Sequence, residues 1–132
     1  MLTGGCLCGR VRYEAAGTPF HETMCHCSMC RRSAGAPLVA WFSVPRSAFR
    51  VLAGEIKHFQ SSKSCVRGFC ATCGTSLTFA SEDFPDEIDV TTCSLDDPAA
   101  VAPRDHVHTS SRLPWISLCD GLAEYPQARD GR

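Results

Sequence analysis

The sequence predicts a mainly β domain that is held together by clustered cysteines, and three observations support this fold class. Short alternating or apolar runs recur along the chain, each bounded by Gly, Pro, Ser or Asp. Helix signals are few. Ten cysteines occur among 132 residues, and most of them stand in closely spaced groups. A chain of this length supports one domain with one modest hydrophobic core.

The elements follow from these patterns in chain order. The first predicted strand is the alternating segment 7–14, whose apolar face is formed by Leu7, Gly9, Val11 and Tyr13. Further strands are predicted at 37–44, 48–52, 57–60, 66–69, 76–80 and 87–92. One helical turn is predicted at 27–34, and a second is predicted where Asp96 or Asp97 precedes Pro98. Both tryptophans, Trp41 and Trp115, are expected in the core.

Charge and hydropathy exclude several classes of partner. Thirteen basic and fourteen acidic residues give a net charge of -1, so nothing favours nucleic acid or an anionic membrane surface. No segment approaches the roughly 20 apolar residues of a membrane span, and the first residues do not read as a secretory signal. We therefore expect a cytoplasmic protein, in which clustered cysteines indicate metal binding or catalysis before disulfides.

Two cysteine pairs have the spacing of a structural zinc site. Cys70 and Cys73, followed by Gly74, form a C-x-x-C-G turn that aims both sulfurs at one ion. Cys6 and Cys8 are the natural second pair, and together the four thiolates complete a tetrahedral set. Such a site would clamp the start of the chain to its middle. A disulfide framework and an iron–sulfur site are the alternatives for these four residues.

The middle cluster, Cys25, Cys27 and Cys30, supplies three thiolates from six residues. Three protein ligands with one vacant position is the usual arrangement of a catalytic zinc, and soft sulfur ligands favour a thiol as the fourth partner. The alternative is a second structural site that is closed by a protein ligand, for which the candidates are Cys65, Cys93, His106 and His26.

The remaining candidate residues have weaker signals. The isolated cysteines Cys65, Cys93 and Cys119 are expected to be buried small apolar residues without a role. Arg31 and Arg32 follow the middle cluster and are either carboxylate-docking groups or an exposed face. Spacing identifies no general acid or base.

Six motifs together resemble one known family. They are GGCLCGRVRYE (4–14), CHCSMCRRSAGAP (25–37), FCATCGTSL (69–77), SLDDP (94–98), HVHTSSRLPW (106–115) and LAEYP (122–126). Their order and spacing are similar to those of the glutathione-dependent formaldehyde-activating enzymes, whose domain is shared with centromere protein V. The resemblance covers residues 3–126 as a single domain and leaves 127–132 as a C-terminal tail. A cysteine at position 93 departs from the small residue expected there.

The resemblance implies a zinc-stapled β-tent of small antiparallel sheets with one or two short helical turns. It implies two Zn²⁺ ions per chain, a structural one on Cys6, Cys8, Cys70 and Cys73 and a catalytic-type one on Cys25, Cys27 and Cys30. The implied reaction joins formaldehyde to the thiol of glutathione to give S-hydroxymethylglutathione, the chemistry of a carbon–sulfur lyase. The particular thiol and aldehyde are not fixed by these motifs.

Two other functions are compatible with the cysteines. A non-enzymatic zinc-stabilised binding module would have both ions closed by protein ligands. Redox chemistry, as in the methionine sulfoxide reductases with a similar zinc-stapled tent, would need one of the isolated cysteines, and none stands in a redox motif. Exposed strand edges leave formation of a homodimer open.

Overall fold

The computed structural model describes residues 1–129 and confirms the mainly β class. In this part of the chain there are eleven strands and one α-helix. The strands are β1 (Leu2–Gly5), β2 (Arg12–Ala15), β3 (Phe20–Cys25), β4 (Val39–Pro45), β5 (Phe49–Ala53), β6 (Ile56–Gln60), β7 (Cys65–Cys70), β8 (Ser76–Ser81), β9 (Glu87–Thr91), β10 (Asp105–Val107) and β11 (Ala123–Glu124). The helix α1 spans Ser28–Ala34, and short 3-10 turns connect several strands.

The strands form two sheets. A three-stranded antiparallel sheet has the order β1-β2-β5, and an eight-stranded sheet has the order β11-β10-β3-β4-β9-β8-β7-β6. Neighbours in the larger sheet are antiparallel except at one end, where β10 runs parallel to β3 and β11 runs parallel to β10. This end brings the segment after residue 104 beside the strand that carries Cys25.

Alternation along the strands gives the larger sheet two different faces. Phe42, Val44 and Val90 lie on the face that packs against Tyr13 of the smaller sheet and Val11 just before it, and all five side chains are fully buried. The opposite face carries a smaller second cluster of buried residues and, beside it, an open cavity. The larger sheet therefore separates the main hydrophobic core from the candidate site.

A register shift in β8 adjusts this alternation. Gly68 pairs with Thr78, whereas Phe69 pairs with Ser76, so Leu77 is an extra residue between the two pairs. As a result Leu77 enters the core, while Phe79, two residues later, lies on the cavity face.

Helix α1 begins and ends at recognisable capping residues. The Cys27 sulfur accepts a hydrogen bond from the backbone N–H of Cys30 and occupies the N-cap position. Gly35 ends the helix in the left-handed conformation with φ 62°, a conformation that glycine adopts without steric cost. The predicted single turn at 27–34 is thus a seven-residue helix.

The first predicted strand is wrong over its first half. Strand β2 begins at Arg12, and the residues before it form a tight turn in which the N–H of Gly9 donates to the carbonyl of Cys6. Gly9 adopts φ 80°, which breaks the extended geometry, and Leu7 is 89% exposed. Val11 and Tyr13 are buried as the alternation predicted.

Other predictions require correction because long-range packing decides them. Strand β3 was missed, since the segment FHETMC has no clear apolar alternation. Trp41 is buried, but Trp115 is 70% exposed rather than in the core. Cys93 and Cys119 are exposed and Cys65 is half-buried, so the isolated cysteines are not buried apolar residues. The predicted turn at Pro98 is present as the 3-10 turn Pro98–Ala100, with Asp97 at its N-cap position.

The C-terminal segment is held against the cavity end of the larger sheet. The carbonyl of Gln127 accepts a hydrogen bond from the N–H of His108, and the Arg129 guanidinium pairs with both Asp105 carboxylate oxygens at 2.9 and 3.1 Å. Residues 127–129 of the predicted tail are therefore held in place by these contacts, and 130–132 lie outside the described residues. No helix among residues 1–129 is long and apolar enough to cross a membrane.

Candidate metal centres and the cavity

The structure brings Cys6, Cys8, Cys70 and Cys73 together from two separate segments, the turn before β2 and the turn after β7. All four sulfurs lie within 4.8 Å of one another. The Cys8 sulfur is 3.5 Å from that of Cys6 and 3.8 Å from that of Cys70. Tetrahedral zinc with Zn–S bonds of about 2.3 Å requires sulfurs about 3.8 Å apart. The arrangement therefore fits a four-thiolate metal site.

Backbone and hydroxyl groups around this cluster favour its thiolate form. The N–H groups of Val11 and Thr72 donate to the sulfurs of Cys6 and Cys70 at 3.2 and 3.3 Å. The side chain and the backbone N–H of Thr75 lower the pKa of Cys73 to about 5. Such donors stabilise charged sulfurs before and after a metal binds.

The second cluster lies where β3 passes into α1. Cys25 ends the strand, Cys27 caps the helix and Cys30 is in its first turn, so the three sulfurs converge within 4.8 Å of one another. Cys25 and Cys30 are buried. Within residues 1–129 no other Cys, His, Asp or Glu places a ligand atom in this group. The donor set thus fits a metal ion with three protein ligands and one remaining position.

The three thiols of the second cluster strongly influence one another. Hydrogen bonds with Cys25 and Cys30 lower the pKa of Cys27, and the contact with Cys27 raises the pKa of Cys25. Without a cation, the cluster therefore favours one shared negative charge over three. Full ionisation of all three thiols requires a bound metal ion.

This cluster opens into a cavity of about 320 Å³ on the face of the larger sheet. Trp41, Phe79 and Val107 provide its apolar wall, and Trp41 packs edge-to-face on Phe79 with ring centroids 6.3 Å apart. Small-molecule sites commonly have volumes of about 300–1,000 Å³. The cavity therefore has room for a small ligand beside the three sulfurs.

Several residues that were not predicted as site residues contribute polar groups to this cavity, among them His21, Arg67 and His108. Among residues 1–129, His21 and His108 are the two non-glycine residues with positive φ, at 51° and 55°. Strained backbone of this kind is often found at functional sites. Alternation in β7 predicts that Cys65 and Arg67 share one face of the strand, but it does not show that this face lines the cavity.

The predicted histidines lie behind the cluster rather than in it. His26 and His106 are fully buried, with His26 Nε2 2.9 Å from His106 Nδ1 and His106 Nε2 2.8 Å from a carboxylate oxygen of Asp120. Because the carboxylate can only accept, each neutral ring donates from Nε2. These hydrogen bonds link the residue between Cys25 and Cys27 to β10 and, through His106, to Asp120.

The remaining predicted residues do not join the three-thiol cluster. Arg31 donates to the carbonyl oxygen of His26, Arg32 is exposed, and neither lines the cavity. Cys93 lies beside a separate surface depression near the four-thiol cluster, together with Cys6 and Cys73. Cys65 lines the cavity but does not join the three-thiol group. The closed alternatives for the second cluster are therefore not formed in this structure.

Comparisons with known proteins agree with the cysteine pattern. The family model described as "Glutathione-dependent formaldehyde-activating enzyme" matches residues 1–111. A Halomonas elongata protein named "Putative glutathione-dependent formaldehyde-activating enzyme" is 23% identical over 89% of this chain and 81% of its own length. An uncharacterized lyase of Schizosaccharomyces pombe is 32% identical over 58% of this chain and 56% of its own. A crystal structure of a Rhodobacter sphaeroides protein matches with a TM-score of 0.57 and 25% identity, covering 93% of this chain and 98% of that one.

Proposed function

This chain belongs to the family of glutathione-dependent formaldehyde-activating enzymes, and we propose that it is a zinc-dependent carbon–sulfur lyase that joins a small thiol to an aldehyde. Glutathione and formaldehyde are the simplest substrates of this class. The three-sulfur cluster at the wall of the cavity is the observation that carries the proposal. A fourth protein ligand would have left no position for a substrate thiol.

The proposal assigns a separate role to each cysteine group. Cys6, Cys8, Cys70 and Cys73 would hold a structural Zn²⁺ that clamps the two sheets, and Cys25, Cys27 and Cys30 would hold the second. When bound there, zinc supplies a positive charge that favours the thiolate form of the substrate and can polarise an aldehyde oxygen. The apolar wall of Trp41, Phe79 and Val107 limits water around the reacting atoms.

The reaction forms one S–C bond, opens the C=O double bond and moves the thiol proton to the new hydroxyl. A group that accepts and then returns this proton would complete the site. We assign this role to the imidazole of His108, which lines the cavity together with the three cysteines of the second cluster. The backbone N–H of His108 donates a hydrogen bond to the Gln127 carbonyl at 3.0 Å, which fixes the backbone there.

The direct test is the rate at which glutathione and formaldehyde exchange with their adduct, measured by NMR exchange spectroscopy with and without the protein. Because the uncatalysed addition is already fast, proximity and thiolate stabilisation need supply only a modest acceleration. We expect acceleration by the wild type, loss in Cys27→Ser, and no change in Cys93→Ser, whose exposed thiol lies outside both clusters.

The outcomes separate the candidate functions. No acceleration of this reaction or of other thiol–aldehyde pairs would overturn the lyase proposal and favour the zinc-stabilised binding module. Acceleration that survives Cys27→Ser would place the chemistry elsewhere. A His108→Gln variant that keeps full activity would overturn the proton-transfer assignment alone.

A further inference from the structure

We infer that Arg67 is a positioning residue that makes the three-cysteine site select an anionic fourth ligand, a thiolate, over a neutral one. The inference rests on the proposed function and deepens it. It begins from a direct contact, because both terminal nitrogens of the Arg67 guanidinium approach the Cys30 sulfur, at 3.8 and 3.7 Å. No other basic side chain in residues 1–129 has a hydrogen bond to the sulfurs of this cluster.

The surroundings fix the guanidinium in this position. Its carbon lies 5.0 Å from the centroid of the Phe79 ring, the cross-strand neighbour of Arg67. One terminal nitrogen also donates to the Ser33 hydroxyl oxygen at 3.3 Å, while that hydroxyl donates to the carbonyl of Cys30 at 3.1 Å. Arg67, Ser33 and Cys30 therefore form one connected set of hydrogen bonds.

The charge of Arg67 has no carboxylate partner in the described part of the chain. The seven ion pairs found within residues 1–129 do not include it. Among residues 1–129, two carboxylates line the cavity, and each accepts a hydrogen bond from a serine, Asp83 from Ser64 and Asp89 from Ser43. The Arg67 Nε is buried without a hydrogen-bond partner. A half-buried, unpaired cation is stable only beside negative charge, and the cysteine sulfurs are the nearest source.

Counting charges gives the functional consequence. Three thiolates around one divalent cation carry a net charge of about -1, and a fourth thiolate would raise this to about -2 in a partly desolvated cavity. The adjacent guanidinium offsets one of these charges, so it lowers the free energy of binding a thiolate. A neutral fourth ligand gains nothing from it to first order. Arg67 therefore sets the preference between the two ligand types.

The magnitude of this preference follows from Coulomb's law. The guanidinium lies 3.7 Å from the Cys30 sulfur, and a fourth ligand on tetrahedral zinc would lie about 3.8 Å from that same sulfur. The guanidinium and a fourth thiolate would then be roughly 6–7 Å apart. At an effective dielectric constant of about 20, two unit charges at this separation change an equilibrium by roughly tenfold to a hundredfold. We therefore expect loss of the Arg67 charge to weaken thiolate binding by about tenfold or more.

The test uses the protein with cobalt(II) in place of zinc, because cobalt reports each ligand change in its visible absorption. Titrations are made at one fixed pH with 2-mercaptoethanol, glutathione and imidazole. 2-Mercaptoethanol has no carboxylate, and imidazole is the neutral probe. Arg67→Met should lose at least tenfold in affinity for both thiols and keep its affinity for imidazole. Arg67→Lys retains the positive charge but not the planar set of guanidinium donors, and it should retain most of the wild-type affinity for the thiols.

A matched control is available on the protein surface. The Arg50→Met substitution removes an arginine whose side chain is 72% exposed and pairs with Glu14 away from the cavity. It should leave all three affinities unchanged. If Arg67→Met fails to fold, Arg67→Lys can still be compared with the wild type. The ratio of its affinity for the thiols to its affinity for imidazole should be lower than in the wild type, by less than tenfold.

Each outcome distinguishes this inference from the proposed function. If neither thiol changes the visible absorption of the wild-type cobalt protein, the proposed function itself is overturned. Equal affinities in wild type and Arg67→Met would overturn the role of Arg67 and leave the lyase proposal standing. Weakened binding of glutathione alone would show that Arg67 docks a substrate carboxylate, which also contradicts the inference. Parallel loss of imidazole and thiols would show a structural role only.

Discussion

The two cysteine clusters should differ sharply in what their loss does to folding, and Cys73→Ser and Cys27→Ser make the comparison. In the four-cysteine site the contact between Cys8 and Cys70 links positions 62 residues apart. Cys25, Cys27 and Cys30 span only six consecutive residues. A cross-link restricts the unfolded chain more when it closes a longer loop. The proposed structural site should therefore contribute more to stability.

Loop-closure entropy gives the scale of the difference. Applied to a metal cross-link, it gives about 4 kcal/mol for the long loop and about 2 kcal/mol for the short one. Domains of this size are stable by only about 5–15 kcal/mol, and 1 kcal/mol shifts Tm by roughly 3–5 °C. We therefore expect Cys73→Ser to lower Tm by about 15 °C or to prevent folding, and Cys27→Ser to lower it by about half as much.

The assay is thermal denaturation followed by circular dichroism, with zinc content measured on the same samples. Cys93→Ser serves as the control, because this exposed residue belongs to neither cluster. Its Tm should equal that of the wild type. The reasoning is refuted if Cys73→Ser is folded with normal zinc and normal Tm, or if the two cluster variants are equally destabilised.

Three further predictions concern the core and the polar contacts that support the cavity. Burial raises the pKa of Tyr13 to about 12, so the folded state favours the neutral phenol and the free energy of unfolding falls by about 2–3 kcal/mol as pH rises from about 10 to 12. Urea denaturation at pH 9 and 11.5 should show most of this fall in the wild type but not in Tyr13→Phe. Equal falls in the two proteins would contradict the prediction. Asp120→Ala removes the carboxylate that accepts from His106 and should cost about 1–2 kcal/mol in urea denaturation, whereas unchanged stability would show that the hydrogen bond contributes nothing. Asp105→Asn disrupts the paired contact with Arg129 and should accelerate amide hydrogen exchange in residues 123–129 while leaving β7 and β8 unchanged; exchange as slow as in the wild type would refute a role for this ion pair in holding the cavity wall.

Local spacing predicted the groups of cysteines but not the shape around them. C-x-x-C and C-x-C turns bring sulfurs together within a few residues, so the pairs were visible in the sequence. The mainly β class and the helix after Cys27 were also predictable, from alternation and from a short run of helix-compatible residues. The identity of the metal ion in each cluster remains a prediction.

The rest depends on contacts between distant segments. Leu7 was placed on a strand face because alternation does not reveal the turn that Gly9 closes. Strand β3 has a mixed polar sequence whose extended form is fixed by its neighbours β4 and β10. Arg67 reaches Cys30 only because β7 and α1 meet on the same side of the larger sheet. Such pairings are set by the tertiary structure rather than by any local pattern.

The most direct test of the proposed open zinc site is zinc K-edge X-ray absorption on the purified protein, combined with elemental analysis, before and after addition of glutathione. We expect two zinc ions per chain, an average of about 3.5 sulfur ligands per zinc, and a rise to about 4 when the thiol binds. In Cys27→Ser one zinc should be lost and the response to glutathione should disappear. A single zinc per chain, or two with a sulfur count that glutathione does not change, would contradict an open site.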